Sequence, residues 1–280
     1  MNLPAAISNT GGAAVVVSGG AGDVGIVAAD IATSGNDAPG LLVTTTSGAI
    51  DIDVAKGVTT GVGYAGGDPN DAIIAQSVSG AISVRATDLA TAGTYTSAVA
   101  AGSQTGDVVI EVDKVVSSGL GGAIVSGRSL SGPSGAPTGG GKVTVAVGEA
   151  TVTRPNGVIG AYAYGDVSVT AGKIAASGGP ATGYFGETVF GQAIGARSYD
   201  GDVNVKVDEL STSGVGYIGV TATAMAGDAT VESGTVTTGS DGAYGIYVRA
   251  GDMAKVVADT TTTHGAVTYD GATHYTDAIR

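Results

Sequence analysis

The 280-residue chain has no cysteine, no tryptophan and only two phenylalanines. Without cysteine there is no disulfide framework and no thiolate chemistry. The same absence suits a protein that stays unfolded while it crosses an oxidising compartment. Charged residues make up 13% of the chain, about half the usual share. No run of about 18 apolar residues occurs, so no segment is expected to span a membrane as a helix. The start, MNLPAAISNTGG, has neither a basic opening nor a long apolar run, and no secretory signal peptide is expected there. The net charge of −13 argues against a partner held by phosphate neutralisation, so nucleic acid is not an expected ligand.

What the chain does contain is glycine, fifty residues of it, with apolar material that is mostly alanine and valine. Small residues suit an interior built in thin layers better than a wide core of Leu, Ile, Phe and Met. The glycine is not arranged as a collagen triplet, and regular β-branched alternation argues against a disordered linker. Instead a sentence such as GDVNVKVDELSTSG (201–214) recurs: GDVGIVAADIATSG, GAISVRATDLATAG, GDVVIEVDKVVSSG and GDVSVTAGKIAASG. Glycines 22, 48, 80, 106, 141, 165, 201, 227 and 251 open nine units, and in six of these another glycine follows thirteen residues later. Positions two, four and six after the opening glycine are small or β-branched, as in Ile50, Ile52, Val54 and Val203, Val205, Val207. Alternation at period two marks a strand with one buried face. Position nine is again mostly apolar and position eleven mostly hydroxylic, from Thr33 and Thr59 to Thr91, Ser117 and Thr212. A third apolar piece follows the second glycine. One such unit cannot bury its apolar face alone, whereas stacked copies can.

The expected fold is therefore all-β: a parallel β-helix of about nine coils, each of three short strands joined by corners. The predicted organisation is one domain over 1–280. Residues 1–21 form an N-terminal coil or cap, 22–265 the regular coils, and 266–280 a C-terminal cap or fraying end. The eighth position of the first seven coils carries Asp30, Lys56, Asp88, Lys114, Glu149, Lys173 and Glu209. Stacking predicts an exposed ladder of alternating sign. The position-eleven hydroxyls fall on inward parity and are expected to form an internal ladder rather than an ice-binding face. Long gaps in coils two, four and six predict loops protruding from one side.

The coils, together with SDGAYGIYVRAGD (240–252) and DAIIAQSVSG (71–80), resemble the passenger region of a bacterial autotransporter, a type V secretion protein. The resemblance covers nearly the whole chain. It implies a right-handed β-helix exported through an outer-membrane barrel, hence an extracellular or cell-surface location. Neither a signal peptide nor a C-terminal barrel is expected within these residues, and a membrane barrel domain is expected to lie outside them.

Catalytic material is sparse. The histidines are His264 and His274, no GxSxG elbow occurs, and no histidine lies near a candidate serine in sequence. Asp51 and Asp53 point outward from one strand, and Glu111 and Asp113 do the same. Paired carboxylates serve sugar cleavage, but nothing in the pattern buries either pair. GGAGDVGIV (19–27) begins like a calcium-binding nonapeptide, yet Asp23 stands one position early and no tandem follows. Asp68, Asn70 and Asp71 offer oxygens to a Ca²⁺ ion, and a plain Asx/Pro turn explains them more simply. No cofactor is expected. The least ordinary stretch is the coil-six loop, GPATGYFGETVFGQAIGARSYDG (179–201), which holds both phenylalanines. It is the candidate ligand-binding loop through Tyr184, Phe185, Glu187, Phe190, Arg197 and Tyr199; folded back, the same aromatics would cap the rod. The function expected is a non-enzymatic adhesive or envelope rod, with a surface glycan or a host or neighbour-cell protein as partner. The alternative is a carbohydrate-active enzyme, a polysaccharide lyase or glycoside hydrolase.

Overall fold

The computed structural model describes every residue except 4–5, 62–70, 94–95, 119–122, 133–136, 154–156, 179–180, 183–187, 190, 215–216, 240–243, 265, 270–271 and 276–277. Among the described residues there is no helix. Two parallel sheets run the length of the molecule. The first stacks long strands of ten or eleven residues in chain order: Val24–Thr33, Ile50–Thr59, Ile82–Thr91, Val108–Ser117, Val143–Val152, Val167–Ser177, Val203–Ser213, Ala229–Thr238 and Ala254–Thr263. The second stacks short strands in the same order, Val15–Gly19, Leu41–Thr45, Ile73–Ser77, Val99–Ser103, Val125–Ser129, Ile159–Ala163, Gln192–Ser198, Ile218–Ala224 and Ile246–Arg249. Each chain turn contributes one strand to each sheet, which is the parallel β-helix that the repeat demands.

The expectation of three strands per coil needs correction. The first two merge into one long strand, and sheet pairing skips a single residue, the seventh after the opening glycine. Between Val24–Thr33 and Ile50–Thr59, for example, Ala28 pairs with Val54 and Asp30 with Lys56, leaving Ala29 and Ala55 out of register. The skipped residue shifts the inward parity, so Val54 and then Gly57 face the core. The corner is thus a bend within a strand. A second correction concerns the last coil. Ala254 pairs with Ala229, so that strand counts from Asp252 and not from Gly251.

At the N-terminal end, Asn2–Leu3 and Ile7–Asn9 both pair with Val24–Thr33. At the other end Ile279 bridges Ile246 in parallel, and Ala266–Tyr269 pairs antiparallel with Ala272–Tyr275.

The core lies between the sheets and is narrow. Long strands supply Ile52, Val84, Ile110, Val145, Val169 and Val205, while short strands supply Ala75, Ala101, Ala161 and Ala196, all buried. A Cβ on Gly127, in the same short-strand column, would lie 2.9 Å from a Val143 methyl. At that position the missing side chain leaves room for Val143, Ile110 and Val145 of the long strands, the close packing that small residues allow in a narrow interior. Opening glycines stack even more tightly. A Cβ on Gly80 would sit 1.9 Å from the Gly48 carbonyl oxygen, and one on Gly48 equally close to that of Gly22; only hydrogen fits there.

Side chains fasten coil to coil at these corners. Ser103 Oγ accepts the Gly106 N–H at 2.9 Å and donates to the Gly80 carbonyl at 3.1 Å. Ser129 links Gly141 to Gly106 with two bonds of 2.7 Å, and Ser198 links Gly201 to Gly165 with two of 2.8 Å. Each hydroxyl therefore joins consecutive opening glycines. The aspartates of the GD dipeptides do related work. Oδ1 of Asp23, Asp107, Asp166, Asp202 and Asp228 accepts the backbone N–H of Ala49, Lys142, Asp202, Asp228 and Met253 respectively. The position-eleven hydroxyls are buried as expected, with Thr33 Oγ1 donating to Thr59 and Thr91 Oγ1 to Ser117.

Candidate functional site

The alternating charges of position eight stack in the expected register: Asp30 beside Lys56, Lys56 beside Asp88, Asp88 beside Lys114, and on through Glu149 and Lys173 to Glu209. Of these, Lys173 and Glu209 close to 3.1 Å. On the same outer face Arg85 bonds Asp51 at 3.4 Å and Glu111 at 3.1 Å, with all three side chains more than half exposed. The carboxylates that the sequence offered for sugar cleavage thus include two paired across solvent-facing strands. Lys142 donates to Asp166 at 2.6 Å, and that bond holds the Asp166 carboxyl below the ordinary aspartate value. Exposed pairs of this kind contribute little individually and favour register.

The short-strand sheet is chemically different. Its described strands carry no carboxylate and no lysine. Its outward column nearest the corner instead runs Thr44, Gln76, Gly102, Arg128, Tyr162, Arg197, Thr223, Arg249, each paired with the next. Three of the six arginines of the chain therefore stand on one line of an otherwise acidic molecule. Residues project outward there because their strand neighbours on both sides face the core, as with Gly127 and Ser129 around Arg128.

Arg197 and Tyr199, named from the sequence, both sit on this face. The Arg197 guanidinium carbon lies 4.6 Å from the Tyr199 ring centroid, a cation–π distance, and one of its amino groups approaches Met225 Sδ at 3.8 Å. Its Nε is buried and finds no acceptor among the described residues. Tyr162, next to Arg197 in register, lies over two glycines: a Cβ on Gly160 would meet its ring at 3.1 Å, and one on Gly195 its hydroxyl at 3.5 Å. Partial burial pushes the Tyr162 phenol up, and the Arg197 charge opposes that shift. Around Arg128, the outer surface sinks into a groove of about 380 Å³ with Gly102 in its lining and Gln76, Gln104, Val78 and Leu130 beside it.

The remaining loop residues, Tyr184, Phe185, Glu187 and Phe190, lie outside the described residues, as do Asp68 and Asn70. Asp71 is described and buried, 2% exposed. Its Oδ1 accepts the Ser97 N–H at 2.5 Å, and burial pushes its carboxyl up to about 6 despite that bond. It acts as a corner fastener. Among the described residues no group of three or more His, Asp or Glu is arranged to hold a metal ion, and no helix is long and apolar enough to cross a membrane. Among the described residues Tyr217 is the bulkiest fully buried side chain, its ring packed on Gly191.

Sequence reasoning missed Arg128, Arg249 and Tyr162. Loops of unequal length separate the short strands from the opening glycines, so counting from those glycines loses the column. The usable signal was the repeated Arg-Ser at 128–129 and 197–198, in which the serine marks the inward corner. Comparison with family models, with curated proteins and with solved structures finds no match for the chain.

Proposed function

We propose that the chain is a non-enzymatic surface rod, the passenger of an autotransporter-like protein, serving adhesion or envelope structure at the bacterial cell surface or outside it. One observation carries the reading: a stack whose coils are fastened by internal serines and corner aspartates holds one sheet whose described strands carry no carboxylate and present arginine and tyrosine outward. Rigidity over length is what a spacer needs, and exposed aromatic and guanidinium groups on a fixed scaffold suit contact with a partner. The resemblance of the coils to exported passengers supports the proposed location.

The test is display. The chain is fused to an outer-membrane barrel, and attachment of the cells to one another and to glycan-coated surfaces is compared with barrel alone. A gain in attachment is expected. No gain on any surface overturns the adhesive reading. Shortening of an acidic polysaccharide by the purified chain would replace it with the carbohydrate-active enzyme.

A further inference from the structure

Arg128, Tyr162, Arg197, Thr223 and Arg249 occupy successive rungs of the short-strand sheet. The arginines are therefore two rungs apart, about 10 Å at the usual strand spacing. Arg128 and Arg249 are exposed. No carboxylate from the short strands competes for them, although the chain as a whole is strongly acidic. Conjugate guanidinium forks bind carboxylates through paired hydrogen bonds. Between the first two arginines, Tyr162 covers Gly160 and reaches over Gly195, a ring supported from below by backbone, as an apolar sugar face requires of a stacking platform. At one end, the groove beside Arg128 is lined by Gln76 and Gln104, whose amides both donate and accept and so match hydroxyl groups.

We infer that this face binds an acidic polysaccharide, a chain of carboxylated sugars lying along the rod axis, with its carboxylates on Arg128, Arg197 and Arg249 and a sugar ring stacked on Tyr162. An extended pyranose residue is about as long as one strand spacing, ~4.8 Å. Arginines on alternate rungs thus meet the carboxylate of every second sugar, and the intervening rung supports the sugar between. Nucleic acid fits less well. A duplex carries a charge every ~1.7 Å of its axis, far denser than this column. This inference deepens the adhesive reading by naming the ligand class for the same rod, and the two fail separately. Oligogalacturonate binding without attachment by displaying cells removes adhesion and leaves the groove. Attachment without oligogalacturonate binding removes the groove alone.

The experiment titrates the full purified chain into fluorescein-labelled oligogalacturonate and reads anisotropy, with a maltodextrin of equal length and single-stranded DNA as further probes. The expected result is salt-sensitive binding to oligogalacturonate and weaker binding to both other probes. Arg128→Gln and Arg249→Gln are exposed changes that leave the core intact. Each is expected to weaken binding about three- to tenfold. Tyr162→Ala should weaken binding also, while Lys114→Gln on the other sheet leaves it within twofold. Three results overturn the inference: no binding to oligogalacturonate, maltodextrin or DNA bound as tightly as the uronate, or equal losses from Lys114→Gln and Arg128→Gln.

Discussion

Asp202 Oδ1 accepts the backbone N–H of Asp228, 26 residues later, at 2.9 Å. The same relationship recurs at four other corners, which gives the aspartate of the GD dipeptide a structural role in coil-to-coil fastening. Asp202→Ala leaves the Asp228 N–H to water and is expected to cost about 0.5–1.5 kcal/mol. Asp202→Asn keeps an acceptor in place and should recover most of that loss. Urea unfolding of the two variants checks the pair; equal loss in both would show that the charge, and not the hydrogen bond, matters.

Asp71 makes the fold sensitive to pH. Its carboxyl titrates near 6 in the fold, above the free aspartate value of about 3.9. A raised folded value means that the folded state holds the proton more tightly. The contribution to stability is therefore fully present below about pH 4 and lost as pH rises through 6. Asp71→Asn stays neutral and retains an acceptor for Ser97. At pH 7.5 it should stabilise the chain by on the order of 1–2 kcal/mol, with a smaller gain at pH 5. Asp166 works in the opposite sense, since its lowered value gives stability that is present near neutrality and lost on acidification. Unfolding midpoints of wild type and Asp71→Asn at both pH values check the sign; a variant less stable at pH 7.5 would refute it.

Lys114 stands between Asp88 and Glu149 on adjacent strands. Lys114→Glu places three acids in a row at an exposed site. The expected cost is about 0.5–1 kcal/mol, and it should shrink in 1 M salt, where the screening length is about 3 Å. A loss unaffected by salt would point away from charge.

Val205 is 2% exposed and pairs with Val169 and Val231. Val205→Asp puts a charge into a narrow interior, an expensive change. Coils support only their neighbours, so lost hydrogen-exchange protection should centre on Val167–Ser177, Val203–Ser213 and Ala229–Thr238. Uniform loss along the molecule would contradict a stack of semi-independent coils.

The long-strand sheet was readable from sequence because its signals sit at fixed distances from a glycine. Ile52, Lys56 and Thr59 all lie where counting from Gly48 puts them. The bend at position seven was not readable: Ala29, Asp113 and Gly148 share no chemistry, and their common property is a gap in pairing. The serine fasteners escaped for a related reason. Ser103 and Ser129 act on glycines of two coils, and the distance from Ser129 to Gly141 contains an insertion that Ser103 to Gly106 lacks. Function was the least legible. The aromatic loop drew attention through its composition, whereas the arginine column is visible only once the sheets are stacked and residues 128, 197 and 249 fall into line.

Distances between spin labels test the stacked register most directly. The chain has no cysteine, so two introduced cysteines are its sole labelling sites. Asp51, Thr144, Asn204 and Lys255 are exposed and share one column, through Ser83, Val109, Ser168 and Thr230. Asp51→Cys is combined in turn with Thr144→Cys, Asn204→Cys and Lys255→Cys. Three, five and seven strand spacings predict backbone separations of about 14, 24 and 34 Å, rising in equal steps. Distances that fail to rise in that order, or a 51–255 pair closer than the 51–144 pair, would contradict the rod.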